Sequence, residues 1–470
     1  MTILVIIGLS VVLTLSLFTR FYLLLKYKWV GKDTFYHFLV ARIIKNKGFP
    51  PDYIDMFVKP EKYDYPPAFH LFLSLFSERK YQKLQYLSPI IDLFTSAIIF
   101  LFCSTLFNFQ VAIMSTLLYS ITPFVLDNAY SFNPRSFANF FFVLALFSCI
   151  SVLLLDSGIW LIASILFSTL VLLLHRLTTQ CLIVVLTALS LGSHSFLPIV
   201  ILLLSILTAI VMTRGFYLKV LKGHLGFITE FGNKVFNSKF RDERPALFPD
   251  LKQLLFNMPI LLSLLLLICY PLDLQGAFIY PIVIWALALT VLSFIWVFGE
   301  GIRHMICSAP AFSILAALVV TTHHLNLVYF ILVVVSVLFS LYKIYRLEKY
   351  PQNSGIIKKD MLNAFDYIRM NKTEGDILFC LPLDYCYNAA YFTDCIMLQS
   401  SGGFAKGLSF NQSLHKMVNM GLIDEIINDY HPDWIIILEK PTRFLSKSSI
   451  LNQKINTFDF GESTVIHLTW

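Results

Sequence analysis

The sequence has few charged residues for its length. Of 470 residues only 14% are Asp, Glu, Lys or Arg, whereas 57% are hydrophobic. Soluble globular domains carry about 25% charged residues. This shortage excludes an ordinary soluble protein and favours a polytopic membrane protein. The net charge is +7, and the location of these charges is more informative than their sum.

Cysteine is sparse and irregularly spaced. The chain has eight cysteines and no C-x-x-C pair, which excludes the common zinc patterns and a disulfide framework. Those in apolar runs, where cysteine usually packs as a small hydrophobic side chain, are Cys103, Cys149, Cys181, Cys269 and Cys307. The basic residues are interleaved with apolar ones, so we expect no nucleic-acid partner.

The N-terminal stretch lacks the features of a cleaved signal peptide. Residues 1–25 contain no basic n-region and no A-x-A-like site, and their apolar run is longer than that of a signal peptide. We therefore expect this stretch to be the first membrane span. Arg20 lies within it, and its side chain would either snorkel to the headgroups or face the protein interior.

Long apolar runs dominate the first three quarters of the chain. A span needs roughly 20 mostly apolar residues, or about 17 at the shortest. These runs predict a polytopic α-helical membrane protein with about eleven transmembrane helices. They lie near residues 2–25, 86–107, 109–126, 136–155, 158–174, 177–191, 194–213, 254–271, 276–297, 304–321 and 324–342.

The connections between these runs differ greatly in length. Residues 1–343 form the predicted transmembrane domain, and its two large loops are 26–85 and 214–251. Both loops fall on the same face, together with most Arg and Lys of this domain. The positive-inside rule places such a face in the cytoplasm. An anionic lipid substrate held there would attract the same basic residues, so both orientations stay open at this point.

The composition changes after the last apolar run. Residues 344–359 read as a charged linker with Pro and Gly, and 360–470 alternate helical and strand patterns. The stretch "DMLNAFDYIRMN" has helical spacing, whereas "DILFCLPL", "PDWIIILE" and "STVIHLTW" are typical of strands. These patterns predict a C-terminal soluble α/β domain. An odd number of spans places it on the same side as the large loops.

An acid and a histidine follow closely on the first span. In "GKDTFYHFLVARIIKNKG", Asp33 and His37 stand at positions i and i+4 and so share one face of a predicted helix. That helix would lie along the membrane surface with its apolar face down. Both side chains would then meet a lipid headgroup. The alternative is that Asp33 is a helix N-cap and His37 an interfacial polar residue.

A second stretch in the same loop, "YDYPPAFHLFLSLF", combines an acid with two prolines. Pro66 and Pro67 suit the first turn of a helix, where a missing N–H costs nothing. Asp64 and Tyr65 stand directly before them and are candidate substrate-binding residues. An ordinary proline turn that happens to contain an aspartate is the alternative.

Together these two stretches resemble the membrane glycosyltransferases of the GT-C superfamily, which includes the oligosaccharyltransferase catalytic subunit, protein O-mannosyltransferases and aminoarabinose transferases. "KDTFYH" is similar to their acidic motif after the first span, and "YPP" to its usual companion. The resemblance implies a sugar donor on a polyprenyl phosphate or diphosphate. It also implies large loops and a C-terminal domain outside the cytoplasm.

The same resemblance implies roles for individual residues. Asp33 would act as general base on the acceptor or help to hold a divalent metal such as Mg or Mn, and His37 would orient it or bind the acceptor. Asp127 is a second candidate metal ligand. In "LDNAYSFNPRSFANFF", however, Asn128 and Ala129 follow it, so the D-x-D of several members is missing. Asp127 would otherwise cap or end a span.

Basic residues at the ends of apolar runs are candidates for binding the donor phosphate. Such residues at membrane depth are costly and usually face a polar cavity. The alternative for each is snorkelling to headgroups. The phosphate-binding candidates are Arg303, Arg135, Arg176 and His304, and His175 is a further substrate-binding candidate.

The sequence thus predicts an integral membrane glycosyltransferase that transfers a sugar from a polyprenyl-phosphate donor to a glycan, lipid or protein acceptor. A transporter or flippase of lipid-linked glycans is the main alternative, and it would show interrupted spans and polar groups near the middle of the membrane. A polymerase or ligase of lipid-linked glycans shares the same substrate class and is the third hypothesis.

Overall fold

The computed structural model of the chain is mostly helical. It describes residues 2–155, 157–236, 251–272, 278–295, 301–398, 414, 417–418, 421–438 and 456–468.

The α-helices within these ranges follow the predicted apolar runs and continue into the C-terminal part. They are α1 (Thr2–Lys26), α2 (Lys32–Lys47), α3 (Ala68–Ser74), α4 (Tyr81–Leu84), α5 (Leu87–Leu106), α6 (Phe109–Ser120), α7 (Pro123–Tyr130), α8 (Pro134–Leu155), α9 (Gly158–Leu174), α10 (Arg176–Gly192), α11 (Leu197–Met212), α12 (Phe216–Phe236), α13 (Leu251–Asn257), α14 (Leu262–Cys269), α15 (Ile279–Ser293), α16 (Ala309–Thr322), α17 (Asn326–Lys349), α18 (Pro351–Ser354), α19 (Lys359–Asn371), α20 (Cys386–Thr393) and α21 (Ile423–Tyr430).

The β-strands are short and lie in the first loop and the C-terminal part. They are β1 (Tyr53–Ile54), β2 (Glu61–Lys62), β3 (Ile377–Leu381), β4 (Ile396–Met397), β5 (Trp434–Leu438), β6 (Asn456–Phe460) and β7 (Ser463–His467). Short 3-10 segments occur at Glu78–Lys80, Pro259–Leu261, Gly301–Ser308 and Leu383–Tyr385.

The chain divides into two compact units, each formed from discontinuous segments. The membrane unit comprises Met1–Leu23, Tyr65–Phe69 and Leu84–Arg346. The loop–sheet unit comprises Leu24–Asp64, His70–Lys83 and Leu347–Trp470. Most of the first large loop therefore groups with the C-terminal part, whereas the sequence predicts that all of 26–85 belongs to the transmembrane domain.

The membrane unit consists of apolar helices, as expected for an integral membrane protein. Among the described residues, four helices are long and apolar enough to cross a membrane: Glu78–Leu106, Pro134–Leu155, Arg303–Thr322 and Asn326–Lys349. Several shorter apolar helices accompany them, from Gly158–Leu174 to Ile279–Ser293. Each of the predicted runs contains a helix, but eleven complete crossings stay a prediction.

The predicted span near 109–126 is bent. It divides into α6 and α7, whose axes differ by 60°, and the two count as a fifth crossing if taken together. The break falls just before Pro123, the first residue of α7. Proline has no N–H to donate and disfavours a helical conformation of the preceding residue, so α6 ends there.

A buried ion pair lies inside the membrane unit. The Nε atom of Arg20 on α1 is 2.6 Å from Oδ2 of Asp92 on α5, and both side chains are buried. The Tyr119 hydroxyl donates to Oδ1 of Asp92 at 2.8 Å, and Arg20 also donates to the Ser120 carbonyl at 3.1 Å. Arg20 therefore faces the protein interior, and the snorkelling alternative is wrong.

The loop–sheet unit contains a five-stranded mixed sheet of order β4-β3-β5-β7-β6. Strand β3 pairs in parallel with β4 and β5, whereas β7 is antiparallel to β5 and β6. Strands β3, β5 and β7 confirm the three predicted strand stretches, and α19 confirms the predicted helix. Strands β4 and β6 were not predicted. Buried side chains such as Phe379, Ile435 and Ile466 form its core with α21.

Helix α2 of the first loop packs against α20 within this unit. Trp29 and Phe35 contact Tyr391 and Phe392, with ring centroids 5.1 to 6.4 Å apart. The Gly31 amide donates to the Ser354 carbonyl at 2.9 Å, at the point where α2 begins. The aromatic side of α2 is therefore covered by protein, in contrast to the expectation of a helix lying free on the membrane surface.

The Arg20–Asp92 pair gives the first prediction. Asp92→Asn leaves a buried guanidinium without its carboxylate, which should lower the free energy of unfolding by about 3–5 kcal/mol. Lys358→Ala removes an exposed pair with Glu462 (2.6 Å) and is the control, with an expected loss below about 1 kcal/mol. Unfolding in detergent, followed by circular dichroism, measures both. Similar losses for the two variants would contradict a special role for the buried pair.

Candidate functional site

The candidate residues fall into two groups, one in each unit. The acid–histidine group lies in the loop–sheet unit and consists of Asp33, His37, His70 and Tyr63. The cation pocket lies in the membrane unit and is lined by Arg135, His175 and Arg303, with other residues described below. The two groups are described separately.

Asp33 stands in the first turn of α2. The helix begins at Lys32, and its N-cap is Gly31 with φ of 106°, without a side-chain cap hydrogen bond. The alternative that Asp33 caps this helix is therefore wrong. Its carboxylate is only half-buried and benefits from the positive end of the helix dipole. A carboxylate that is held on a helix yet accessible can meet a substrate.

His37 is the first member of a buried hydrogen-bonded chain. Its Nδ1 lies 2.8 Å from Nε2 of His70, and Nδ1 of His70 lies 2.7 Å from the Tyr63 hydroxyl. All three side chains are at most 4% exposed. Burial, and secondly the neighbouring His37, hold the pKa of His70 well below its ordinary value of 6.5. His70 is therefore neutral at neutral pH.

Sequence reasoning missed His70 and Tyr63. Both lie in "YDYPPAFHLFLSLF", the stretch that was singled out for Asp64 and Tyr65. Asp64 and Tyr65 are half-buried and lie between β2 and α3, which begins at Ala68, just after the two prolines. A tyrosine and a histidine seven residues apart were the available signal. That spacing alone does not indicate a function, because the contact of His70 with His37 is visible only in the structure.

The cation pocket brings together three of the predicted binding residues. Arg135, His175 and Arg303 line it with Phe124, Asn128, Leu177, Thr178, Ile306 and Cys307. Arg303 is exposed and Arg135 half-buried. Arg135 and His175 stand at the starts of α8 and α10, and Arg303 lies in the 3-10 segment Gly301–Ser308 that precedes α16. Helix starts carry partial positive charge, so the segments add to the charge of the guanidinium groups.

The hydrogen bonds of His175 indicate its tautomer. It is the N-cap of α10, and its Nδ1 accepts the Thr178 backbone N–H at 3.3 Å. The Thr178 hydroxyl lies 2.8 Å from the same Nδ1 and can donate to it as well. When Nδ1 accepts these bonds, the proton of the neutral ring is on Nε2. His175 can therefore present an N–H to an anionic oxygen in the pocket.

Arg176 does not line this pocket with its neighbour His175. Its side chain is buried, and its guanidinium carbon lies 5.8 Å from the centroid of the Tyr65 ring. This cation–π contact brings one predicted phosphate-binding residue to one predicted substrate-binding residue. His224 on α12 was not predicted, and burial, with the Arg176 charge second, lowers its pKa to about 3. It remains a neutral ring beside the arginine.

Two further candidates have partners of their own. His304 is fully buried, and its Nε2 lies 3.1 Å from Oε1 of Gln180, so it does not line the cation pocket. Asp127 lies within α7, and Lys343 is 3.3 Å from its carboxylate. Asp127 is thus neither a cap nor the end of a helix.

The described residues show no cluster of metal-binding side chains. No three of their His, Cys, Asp and Glu side chains come together in a group that would hold an ion. The carboxylate of Asp127, one of the two predicted ligands, is neutralised by Lys343. The binding of a divalent metal, Mg or Mn, through Asp33 and Asp127 stays a prediction.

Sequence comparisons found no matching protein-family model and no matching curated protein. Solved structures do match. Archaeal oligosaccharyltransferase AglB from Archaeoglobus fulgidus, in complex with an inhibitory peptide and a dolichol-phosphate, has a TM-score of 0.63 and 12% identity, over 93% of this chain and 69% of that one. ArnT from Cupriavidus metallidurans bound to undecaprenyl phosphate has a TM-score of 0.60 and 13% identity, over 97% of both chains.

Another structure of the Archaeoglobus fulgidus oligosaccharyltransferase, in complex with Zn and sulfate, matches with a TM-score of 0.56 and 13% identity over 93% of this chain and 69% of that one. At these identities the similarity concerns the fold. The expected GT-C resemblance is therefore confirmed at the level of the fold, and the chain has the GT-C-like fold of these membrane proteins.

Proposed function

We propose that the protein is a membrane glycosyltransferase that transfers a sugar from a polyprenyl-phosphate donor to a glycan, lipid or protein acceptor. The observation that carries this proposal is the cation pocket, where Arg135, His175 and Arg303 converge in a GT-C-like fold. Two proteins of similar fold are bound to a dolichol-phosphate and to undecaprenyl phosphate. These ligands share the phosphate that such a pocket would hold.

The pocket suits a phosphate leaving group. When the bond between the sugar and the phosphate breaks, negative charge develops on the phosphate oxygens. Arg303 and Arg135 would stabilise this charge by charge-assisted hydrogen bonds, which are often bidentate. The Nε2–H of His175 would add a neutral donor. Donors held in place before the reaction are usually the largest electrostatic contribution to catalysis.

Asp33 is the proposed base. An acceptor hydroxyl must lose its proton as its oxygen attacks the anomeric carbon, and a carboxylate within hydrogen-bond reach takes it. A single displacement of this kind inverts the anomeric centre. Asp33 suits the role because it is half-buried on a helix and is not engaged as a cap. His37, four residues on, would orient Asp33 or bind the acceptor.

Transport of a lipid-linked glycan is the second candidate, and one observation favours it. A transporter is expected to carry polar groups within its spans, and the membrane unit buries Arg20 with Asp92. That pair links α1 to α5 and lines no described pocket. A labelled-donor assay separates the candidates, because only a transferase moves the sugar onto an acceptor. A polymerase or ligase would also do so, and differs in using a glycan acceptor.

We further propose that the large loops and the C-terminal domain lie outside the cytoplasm. With the exposed Cys269 replaced by serine, Lys222→Cys on α12 and Arg369→Cys on α19 introduce exposed thiols. Both should react with an impermeant maleimide on intact cells. Phe196→Cys, in a short connection on the opposite face, is the control and should react only after permeabilisation. Labelling of one of the first two sites but not the other would rule out this topology.

The cation pocket yields a prediction for Arg303. Arg303→Ala should weaken binding of a prenyl-phosphate donor about tenfold or more, because a hydrogen bond to a charged group contributes roughly 1.5–3 kcal/mol. Arg303→Lys should recover only part of the affinity, since lysine lacks the planar fork. Arg346→Ala, at an exposed arginine outside the pocket, is the control. Donor titration of purified protein measures the affinity of all three variants. Unchanged affinity in Arg303→Ala would favour the alternative that Arg303 snorkels to the lipid headgroups.

Asp33 gives the direct test of the catalytic proposal. Asp33→Asn keeps the shape of the side chain but cannot take a proton, so turnover should fall by about 10²- to 10⁴-fold. Donor binding and the melting temperature should stay near those of the wild type. Asp55→Asn, an exposed carboxylate in the same loop, is the matched control. Full turnover of Asp33→Asn would end the case for Asp33 as the base.

A further inference from the structure

We propose that Tyr63 and His70 are positioning residues that hold His37 in its Nε2–H tautomer, so that His37 offers the substrate a hydrogen-bond donor and not a base. The proposal rests on the proposed function for its catalytic meaning, but the tautomer itself can be measured without any reaction. It assigns separate roles to the two residues on one face of α2, with proton removal left to Asp33.

The three hydrogen-bonded side chains come from three separate segments of the loop–sheet unit. His37 lies on α2, His70 on α3, and Tyr63 directly after β2. The Tyr63 backbone N–H donates to the Asp52 carbonyl at 2.9 Å, which holds the tyrosine at the end of the small hairpin. The Tyr63 and His70 side chains are fully buried, and that of His37 is 4% exposed. Burial leaves these rings little freedom to exchange partners with water.

The two hydrogen bonds of His70 must run in the same direction along the chain. A neutral imidazole has one nitrogen that donates and one that accepts. His70 is neutral because burial lowers its pKa well below the ordinary value. If Tyr63 donates to Nδ1 of His70, then Nε2 of His70 donates to His37. If the first bond is reversed, the second is reversed as well.

The Tyr63 hydroxyl determines the direction of both hydrogen bonds of His70. A tyrosine O–H is more acidic than the N–H of a neutral imidazole, and an imidazole nitrogen is a better acceptor than a phenol oxygen. The short Tyr63–His70 contact of 2.7 Å is therefore an O–H donating to Nδ1. His70 then donates from Nε2 to Nδ1 of His37, at 2.8 Å. With its Nδ1 accepting, neutral His37 carries its proton on Nε2.

This tautomer decides what His37 can do. Its Nε2 is occupied by a proton and cannot accept one from the acceptor hydroxyl. It can donate a hydrogen bond to an oxygen of the substrate or to a carboxylate. Asp33, at i−4 on the same helical face, can only accept when it is ionised. One face of α2 therefore presents a donor and an acceptor one turn apart.

The experiment uses the full-length protein labelled with ¹⁵N-histidine in detergent. Long-range ¹H–¹⁵N spectra distinguish protonated from unprotonated ring nitrogens, and the His37→Gln spectrum identifies the His37 signals by their loss. Wild-type His37 should show an unprotonated Nδ1 and a protonated Nε2. Tyr63→Phe removes the directing hydroxyl but keeps the ring, so the His37 signals should shift towards a mixture of the two tautomers.

Tyr81→Phe is the matched control. Tyr81 is also fully buried in the loop–sheet unit, and its hydroxyl has no hydrogen-bond partner among the described residues. This variant should leave the His37 signals unchanged. In the transfer assay Tyr63→Phe should lower kcat about tenfold or more, as loss of a residue that orients a functional histidine does. The KM for the donor should stay the same, and Tyr81→Phe should behave as the wild type.

The outcomes separate this inference from the proposed function. A protonated Nδ1 on wild-type His37, or the same tautomer in Tyr63→Phe as in the wild type, would overturn the relay even in an active enzyme. An unchanged kcat in Tyr63→Phe would show that the tautomer of His37 does not contribute to catalysis. If the predicted tautomers are observed but the wild type transfers no sugar to any acceptor, the proposed function fails and the relay stands.

Discussion

The buried ion pair between Arg20 and Asp92 is the constraint on which the membrane unit depends. A charge in a membrane helix is costly unless another protein group meets it. The pair ties α1 to α5, and the hydroxyl of Tyr119 extends the contact to α6. Asn139 on α8 in turn donates to that hydroxyl at 3.2 Å. Helix α1 thus meets α5, α6 and α8 at one polar point, and their apolar faces pack around it.

The other cations of the membrane unit are arranged differently. Arg135 and Arg303 lie where helices begin and line a pocket, and neither is fully buried. The guanidinium of Arg20 is enclosed with a carboxylate and stabilises the helix packing, whereas those of Arg135 and Arg303 line a pocket where we propose that an anion binds. Arg176, buried against Tyr65, lies between these two cases. The same residue type therefore has a structural role in one place and a proposed binding role in another.

The loop–sheet unit explains how a loop can carry precise chemistry. Helix α2 is held by aromatic contacts to α20 and by the Gly31–Ser354 hydrogen bond, so Asp33 and His37 stand on a packed element. Arg42 on the same helix pairs with Asp394 at 2.7 Å. Sites on packed elements hold their geometry better than sites on free loops. The C-terminal sheet is thus the support for the first loop as well as a domain of its own.

The sequence by itself determined the apolar helices and the strands β3, β5 and β7, because periodicity and composition are local properties. The functional roles of the stretches around Asp33 and Tyr65 stay predictions. The alternative that Asp33 is the N-cap of α2 is wrong. Gly31 and Asp33 are both acceptable N-caps by residue type, and only the backbone conformation distinguishes them. Only the tertiary structure decided that Arg20 meets Asp92, that His70 meets His37, and that Arg135, His175 and Arg303 share a pocket. These partners are dozens of residues apart or more, and helix packing, which no local pattern encodes, brings them together.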